Sequence, residues 1–149
     1  MKIAIGADHA GYDLKEKIKA RLVKAGHEVF DEGTIDNNSV DYPDFAAKVA
    51  HDVVGHRATL GVLVCGTGIG MAIAANKVHG IRAANLSTVP EAQLSREHNN
   101  ANVAAIGARI LKEEDAFKIV DTFLNTGFAG GRHIPRVEKI AALEAKACE

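Results

Sequence analysis

Little in this sequence commits it early. Its 149 residues include only two cysteines, Cys65 and Cys148. That number and placement suggest no disulfide framework and point to a reducing compartment, the cytoplasm. Basic and acidic residues nearly cancel, 18 against 19, for a formal net charge of -1. No overall field therefore recruits nucleic acid or an anionic membrane. No apolar run approaches the roughly 20 residues that span a bilayer. The opening MKIAIGADHAGYD is interrupted by charge too soon to read as a signal peptide. Neither a repeat, a low-complexity tract nor a linker divides the chain, so one domain over residues 1–149 is expected. A G-x-x-x-x-G-K-S/T phosphate loop is missing, and the histidines show no metal-ligand spacing, so no metal is expected. Aromatic residues make up 5%, which weighs against a flavin module.

What is present alternates. KIAIGAD reads as a buried strand, and the following stretch, Asp13 to Ala25, as a helix with Leu14, Ile18, Leu22 and Val23 on one face. HEVFDEG is a second strand. A polar loop leads to a helix from Tyr42 or Pro43 to about His56. TLGVLVCG is the most strand-like segment, and a small-residue helix follows it. GIRAANL and NVAAIGA supply two more strands, with helices over residues 90–99, 112–124 and 135–146 around them. Strands separated by helices of this length pair in parallel through right-handed crossovers. The expectation is an α/β fold: a three-layer open sheet of five parallel strands covered on both faces. Rossmann-type and flavodoxin-type wirings both satisfy the pattern. In such sheets the ligand sits outside the carboxyl ends of the strands. That rule singles out Asp8 and His9, residues 65–70, residues 85–87 and residues 107–109.

LVCGTGIG, Leu63 to Gly70, places three glycines within five positions of a strand end. A dinucleotide fingerprint needs G-x-G-x-x-G after the first strand, and the spacing here fails. A tight strand-to-helix turn explains any one of the glycines. Three of them beside Thr67 also make a string of backbone N–H groups, able to hold a phosphate or an oxyanion developing on a carbonyl. Cys65 adjoins that string. A buried structural cysteine is the ordinary case. Beside such donors a thiol is also a candidate nucleophile or base, with His9 and His98 as candidate partners.

Further polar residues are expected to gather at the same rim. Asp8 suits an N-cap as well as a site. His98 and Asn99 lie at a helix end, where His suits the dipole and Asn the C-cap. In AGGRHIPRVEK, Pro135 suits the first turn of a helix. Arg132, His133 and Arg136 then surround a helix N-terminus, where a bound anion would relieve the crowding of positive charge. Surface arginines paired with Glu138 would explain the same pattern. Arg109, at the end of the last strand, would add a third guanidinium.

In order along nearly the whole chain, GADHAGYDLK, DYPDFA, CGTGIGMAIAANKVHGIRAA, LSREHNNANVAAIGARI and GGRHIPRVEKI resemble the type B ribose-5-phosphate isomerase family, which also holds allose- and galactose-6-phosphate isomerases. The resemblance implies a Rossmann-like α/β/α sandwich and an aldose–ketose isomerase without metal or cofactor. It implies Cys65 as the base working through an enediol(ate), with Gly66, Thr67, Gly68, Ile69 and Gly70 cradling the oxyanion. His98, helped by Thr67, would open the furanose ring. Asp8 and His9 would bind the sugar, Asn99 its open chain, and Tyr42 would line the pocket. Arg109, Arg132 and Arg136 would bind the phosphate. The partners implied are a small sugar phosphate and a second copy of the chain, as a homodimer or dimer of dimers with shared sites. Retention of His98, Arg132 and Arg136 sides with the ribose-5-phosphate enzymes rather than the galactose-6-phosphate subunits. NLST, residues 85–88, departs from the family pattern at the pocket wall, so a six-carbon substrate stays open. A non-catalytic sugar-phosphate sensor on the same fold is the alternative of another class. Cys148 matches no motif and is expected to be inert.

Overall fold

The computed structural model describes residues 1–147; Cys148 lies outside them. The elements run β1 (Lys2–Ala7), α1 (Tyr12–Lys24), β2 (Glu28–Asp31), α2 (Tyr42–Val54), β3 (Leu60–Cys65), α3 (Ile69–Ala75), β4 (Ala83–Asn85), α4 (Val89–Asn99), β5 (Val103–Gly107), α5 (Glu113–Asn125), a 3-10 turn (Gly131–His133) and α6 (Ile134–Ala147). All five strands are parallel, in the order β2-β1-β3-β5-β4. The two wirings left open by the pattern are thereby resolved into a third arrangement: β5 inserts between β3 and β4, and the chain reverses at β1 and β3.

Alternation along the strands sorts the core into two layers. Ile3, Ile5, Val62, Val64, Ala104 and Ile106 pack against α1, α4 and α5. Ala4, Leu63, Cys65, Val103 and Ala105 face α2 and α3. On α5 the stripe Ala116, Ile119, Val120, Phe123 and Leu124 is buried; full burial of a side chain such as Phe123 contributes about 2 kcal/mol. A capping box starts α4: Thr88 accepts the Glu91 N–H, and the Glu91 carboxylate accepts the Thr88 N–H. Among the described residues no helix is long and apolar enough to cross a membrane.

Two residues of α1 depart from its periodicity. Val23, assigned by spacing to the apolar face, is 57% exposed. Lys15 is buried instead, 1% exposed, its Nζ 2.7 and 2.8 Å from the Asp31 carboxylate and 2.8 Å from Glu16. Lys19 bonds the same two acids. The network ties α1 to the end of β2, where Asp31 also accepts the Gly33 N–H.

Candidate active site

The reversal between β1 and β3 leaves a crevice at their carboxyl ends. Asp8 follows β1 and is buried. Its Oδ1 accepts the N–H groups of Ala10 (3.0 Å) and Gly11 (3.1 Å). The N-cap of α1 is Gly11, so Asp8 shapes the turn before the helix rather than capping it. His9 accepts the Val40 N–H at Nδ1, 3.2 Å, which leaves the proton of the neutral ring on Nε2 as a free donor.

Cys65 is the last residue of β3 and 5% exposed. Its sulfur accepts the Gly68 N–H at 3.1 Å. That contact strengthens as the thiol gives up its proton. Gly68 has φ +82°, and a Cβ there would stand 2.9 Å from the Ile106 carbonyl carbon. Opposite it, a Cβ on Gly107 would stand 2.7 Å from the Thr67 carbonyl. The loop therefore lies flat on the end of β5. Thr67 Oγ1 accepts the Ile69 N–H, 3.2 Å. The N–H groups of Thr67 and Gly70 find no protein acceptor among the described residues. Because α3 has only seven residues, these donors, rather than a helix dipole, are what the loop offers an anion. The ring of Tyr42 covers Gly70 and the Arg109 guanidinium covers Gly66, one at each end of the loop, each close enough that a Cβ would meet it at 2.7 and 3.2 Å respectively. Asn85 reaches the Thr67 carbonyl at 3.4 Å.

His98 and Asn99 are elsewhere. Helix α4 runs antiparallel to the strands, so its last residues lie at their amino ends. The chain there enters β5, whose Val103 pairs with Gly61 while Gly107 pairs with Cys65. The length of β5, about 13 Å at 3.3 Å per residue, separates the two rims. The expectation of one rim is corrected on this point. Asn99 closes the helix and Asn100, at φ +46°, is its C-cap. Arg96 braces this end, donating to Asn100 Oδ1 (3.1 Å), the Ala101 carbonyl and the Thr126 carbonyl (3.0 Å).

Beside His98 lies the turn before α6. Arg132, His133 and Arg136 join His98 and Asn99 around a cavity of about 240 Å³, lined by none of the residues at the carboxyl rim. Neither arginine forms an ion pair among the described residues, so pairing with Glu138 is not what holds them. The imidazoles of His98 and His133 stack, centroids 4.3 Å apart and planes 16° from parallel. Burial first, then the charges on His98, Arg132 and Arg136, push His133 below the usual imidazole pKa. The sequence places His133 with the two arginines around a helix start, but nothing in its spacing reveals the stack on His98.

One chain therefore carries two separate polar clusters. One has a thiol, an acid, a histidine and free backbone donors. The other has two guanidiniums, two histidines and an asparagine.

Comparison with known proteins gives the family. A sequence profile of the family described as Ribose/Galactose Isomerase matches residues 3–140. Ribose-5-phosphate isomerase B of Escherichia coli (strain K12) is 50% identical over 145 residues, 97% of each chain. Among solved structures, ribose-5-phosphate isomerase B of Clostridium thermocellum is 52% identical, with a TM-score of 0.98 over 99% of each chain. The enzyme of Mycoplasma genitalium, solved with bound ribulose-5-phosphate, is 42% identical, with a TM-score of 0.92 over 97% of this chain and 96% of that one.

Proposed function

The chain belongs to the ribose/galactose isomerase family, and on that footing we propose that it interconverts ribose 5-phosphate and ribulose 5-phosphate by the chemistry of Cys65. The observation that carries the mechanism is the Cys65 sulfur beside a loop with unclaimed N–H groups. In the forward direction Cys65 removes the C2 proton of the open-chain aldose. The electron pair forms the C1–C2 double bond and the charge passes to O1. The thiol then returns the proton to C1, while a proton moves from O2 to O1. Thr67 and Gly70 donate to the oxyanion; a strong preorganised donor of this kind lowers such a barrier by about 3 kcal/mol. Asp8 and the Nε2–H of His9 hold the sugar, and Tyr42 and Arg109 bound the pocket.

His98 opens the furanose ring, Asn99 binds the open chain, and Arg132 and Arg136 hold the phosphate with Arg109. A phosphate gripped far from C1 and C2 orients the reacting carbons. His98, Asn99, Arg132 and Arg136 lie at the opposite rim of the same chain from Cys65 and Arg109, so the complete site is built between two copies, the thiol loop of one facing the arginine turn of the other. The chain then works as a homodimer, alone or in a dimer of dimers, among the metabolic enzymes of the cytoplasm.

Purified protein with ribose 5-phosphate and EDTA should form ribulose 5-phosphate; no turnover with this or any six-carbon sugar phosphate removes the reading. Cys65→Ala should lose nearly all kcat while isothermal titration still detects substrate binding. Retained turnover would reassign the base.

A further inference from the structure

The stacked pair at the amino rim has a consequence for the isomerase reading, on which the following rests. In many enzymes a working histidine is oriented by a carboxylate or carbonyl that accepts its second N–H. His98 has no such hydrogen-bond partner among the described residues; its ring stacks on the face of His133. The backbone that carries that face is held in place. Gly130 and Gly131 take φ of +65° and +55°, and the turn they make returns His133 toward the end of α4. The His133 N–H closes the turn on the Gly130 carbonyl at 3.0 Å, and the Ala129 N–H bonds the carbonyl of Glu97, the residue before His98. The ring of His133 is buried.

We propose that His133 is a positioning residue for ring opening: its imidazole, carried on a backbone-closed turn and buried against His98, fixes the plane of His98 and leaves both His98 nitrogens to the substrate. A stacked ring does this without the charge a carboxylate would bring. An orienting acid would hold a proton on His98 and would compete with the phosphate for Arg132 and Arg136. The charged groups facing the pair are Arg132 from the turn, Arg136 from α6 and Glu97 from α4. Two guanidiniums against one acid disfavour a positive charge on the His133 ring.

The test is a set of three variants, His133→Ala, His133→Gln and His133→Phe, assayed with ribose 5-phosphate. Alanine and glutamine remove the aromatic face, while phenylalanine keeps it and removes the nitrogens. Loss of orientation should lower kcat by about tenfold in the first two, since small misplacements of a catalytic group are costly. KM should stay within about twofold, because the arginines still hold the phosphate. Phenylalanine should recover kcat to within about threefold of wild type. Wild-type kcat in the glutamine variant overturns the proposal. So does a phenylalanine variant as poor as glutamine with a raised KM, which would make His133 a phosphate ligand. Proton NMR of the His98 ring gives a second readout independent of turnover. Its C2–H resonance, shielded by the stacked ring, should shift downfield in the glutamine variant and stay upfield in the phenylalanine variant. Should the wild-type protein isomerise no sugar phosphate, the isomerase reading fails, and this resonance alone decides whether His133 orients His98.

Discussion

Cys65 owes its place to a strand and its hydrogen bond to a glycine. The Gly68 N–H reaches the sulfur only because residue 68 takes a left-handed φ, over a β5 carbonyl that leaves no room for a side chain. Gly68→Ala should therefore cost about 1–3 kcal/mol of stability by urea unfolding, and should lower kcat by moving the N–H. Gly127→Ala, where a Cβ meets nothing within 4 Å, is the matched control and should leave both unchanged. Arg136→Ala should raise KM for ribose 5-phosphate by about tenfold, the loss of one charge-assisted bond, with kcat less affected; an unchanged KM removes it from the phosphate site. At this scale the sequence was informative where a residue type is unusual for its position. A cysteine beside three glycines, and arginines before a helix-starting proline, stood out. His133 stood out only as a third basic residue beside them, because its stacking on the ring of His98 is something no spacing reveals. Lys15 was missed for the same reason: its partner Asp31 belongs to another element.

Among elements, the join of α1 to β2 is the most sensitive to conditions. Burial pulls the Asp31 carboxyl upward, but hydrogen bonds from Lys15, Lys19 and the Gly33 N–H outweigh it and hold its pKa below the usual value. Glu16 is also lowered: burial is again the largest influence and acts upward, and Lys15 and Lys19 overcome it. A carboxylate with a depressed folded pKa contributes stability that is complete above its unfolded pKa, near 4, and is lost as pH falls through the folded value. The unfolding free energy should thus decline below about pH 4. Lys15→Met should flatten that decline and cost about 2 kcal/mol at pH 7 by urea unfolding. This is less than for a fully buried pair, because Asp31 remains partly solvated and keeps Lys19. A variant as stable as wild type at pH 7 would reduce the network to surface decoration. The elements themselves were largely legible, since buried parallel strands are short apolar runs and the helices show their faces. Strand order was not, because periodicity within an element carries nothing about its neighbours.

For the whole molecule the deciding fact is direction. In a parallel sheet with helical crossovers, a residue after a strand and a residue before one lie at opposite ends. That rule alone separates Cys65 from His98, and it was available from the order of elements; the polar character of both segments hid it. No residue of α6 is fully buried, and Leu143 is 66% exposed, so the proposed pairing of two copies has an apolar face to use. Mixing unfolded Cys65→Ala with unfolded His98→Ala and refolding them together should restore about one quarter of wild-type activity. Half of the dimers then hold one of each chain, and each of those has one intact site. No restoration would place the whole site within one chain. The scaffold also limits its own adaptation. Residue 68 presses on the backbone of Ala105 and Ile106, and residue 107 on that of Thr67, so a library randomising both codons should return glycine at each. New substrates must then be accommodated from the walls, at positions such as Tyr42, Asn85 and Asn99, over a floor that selection leaves alone.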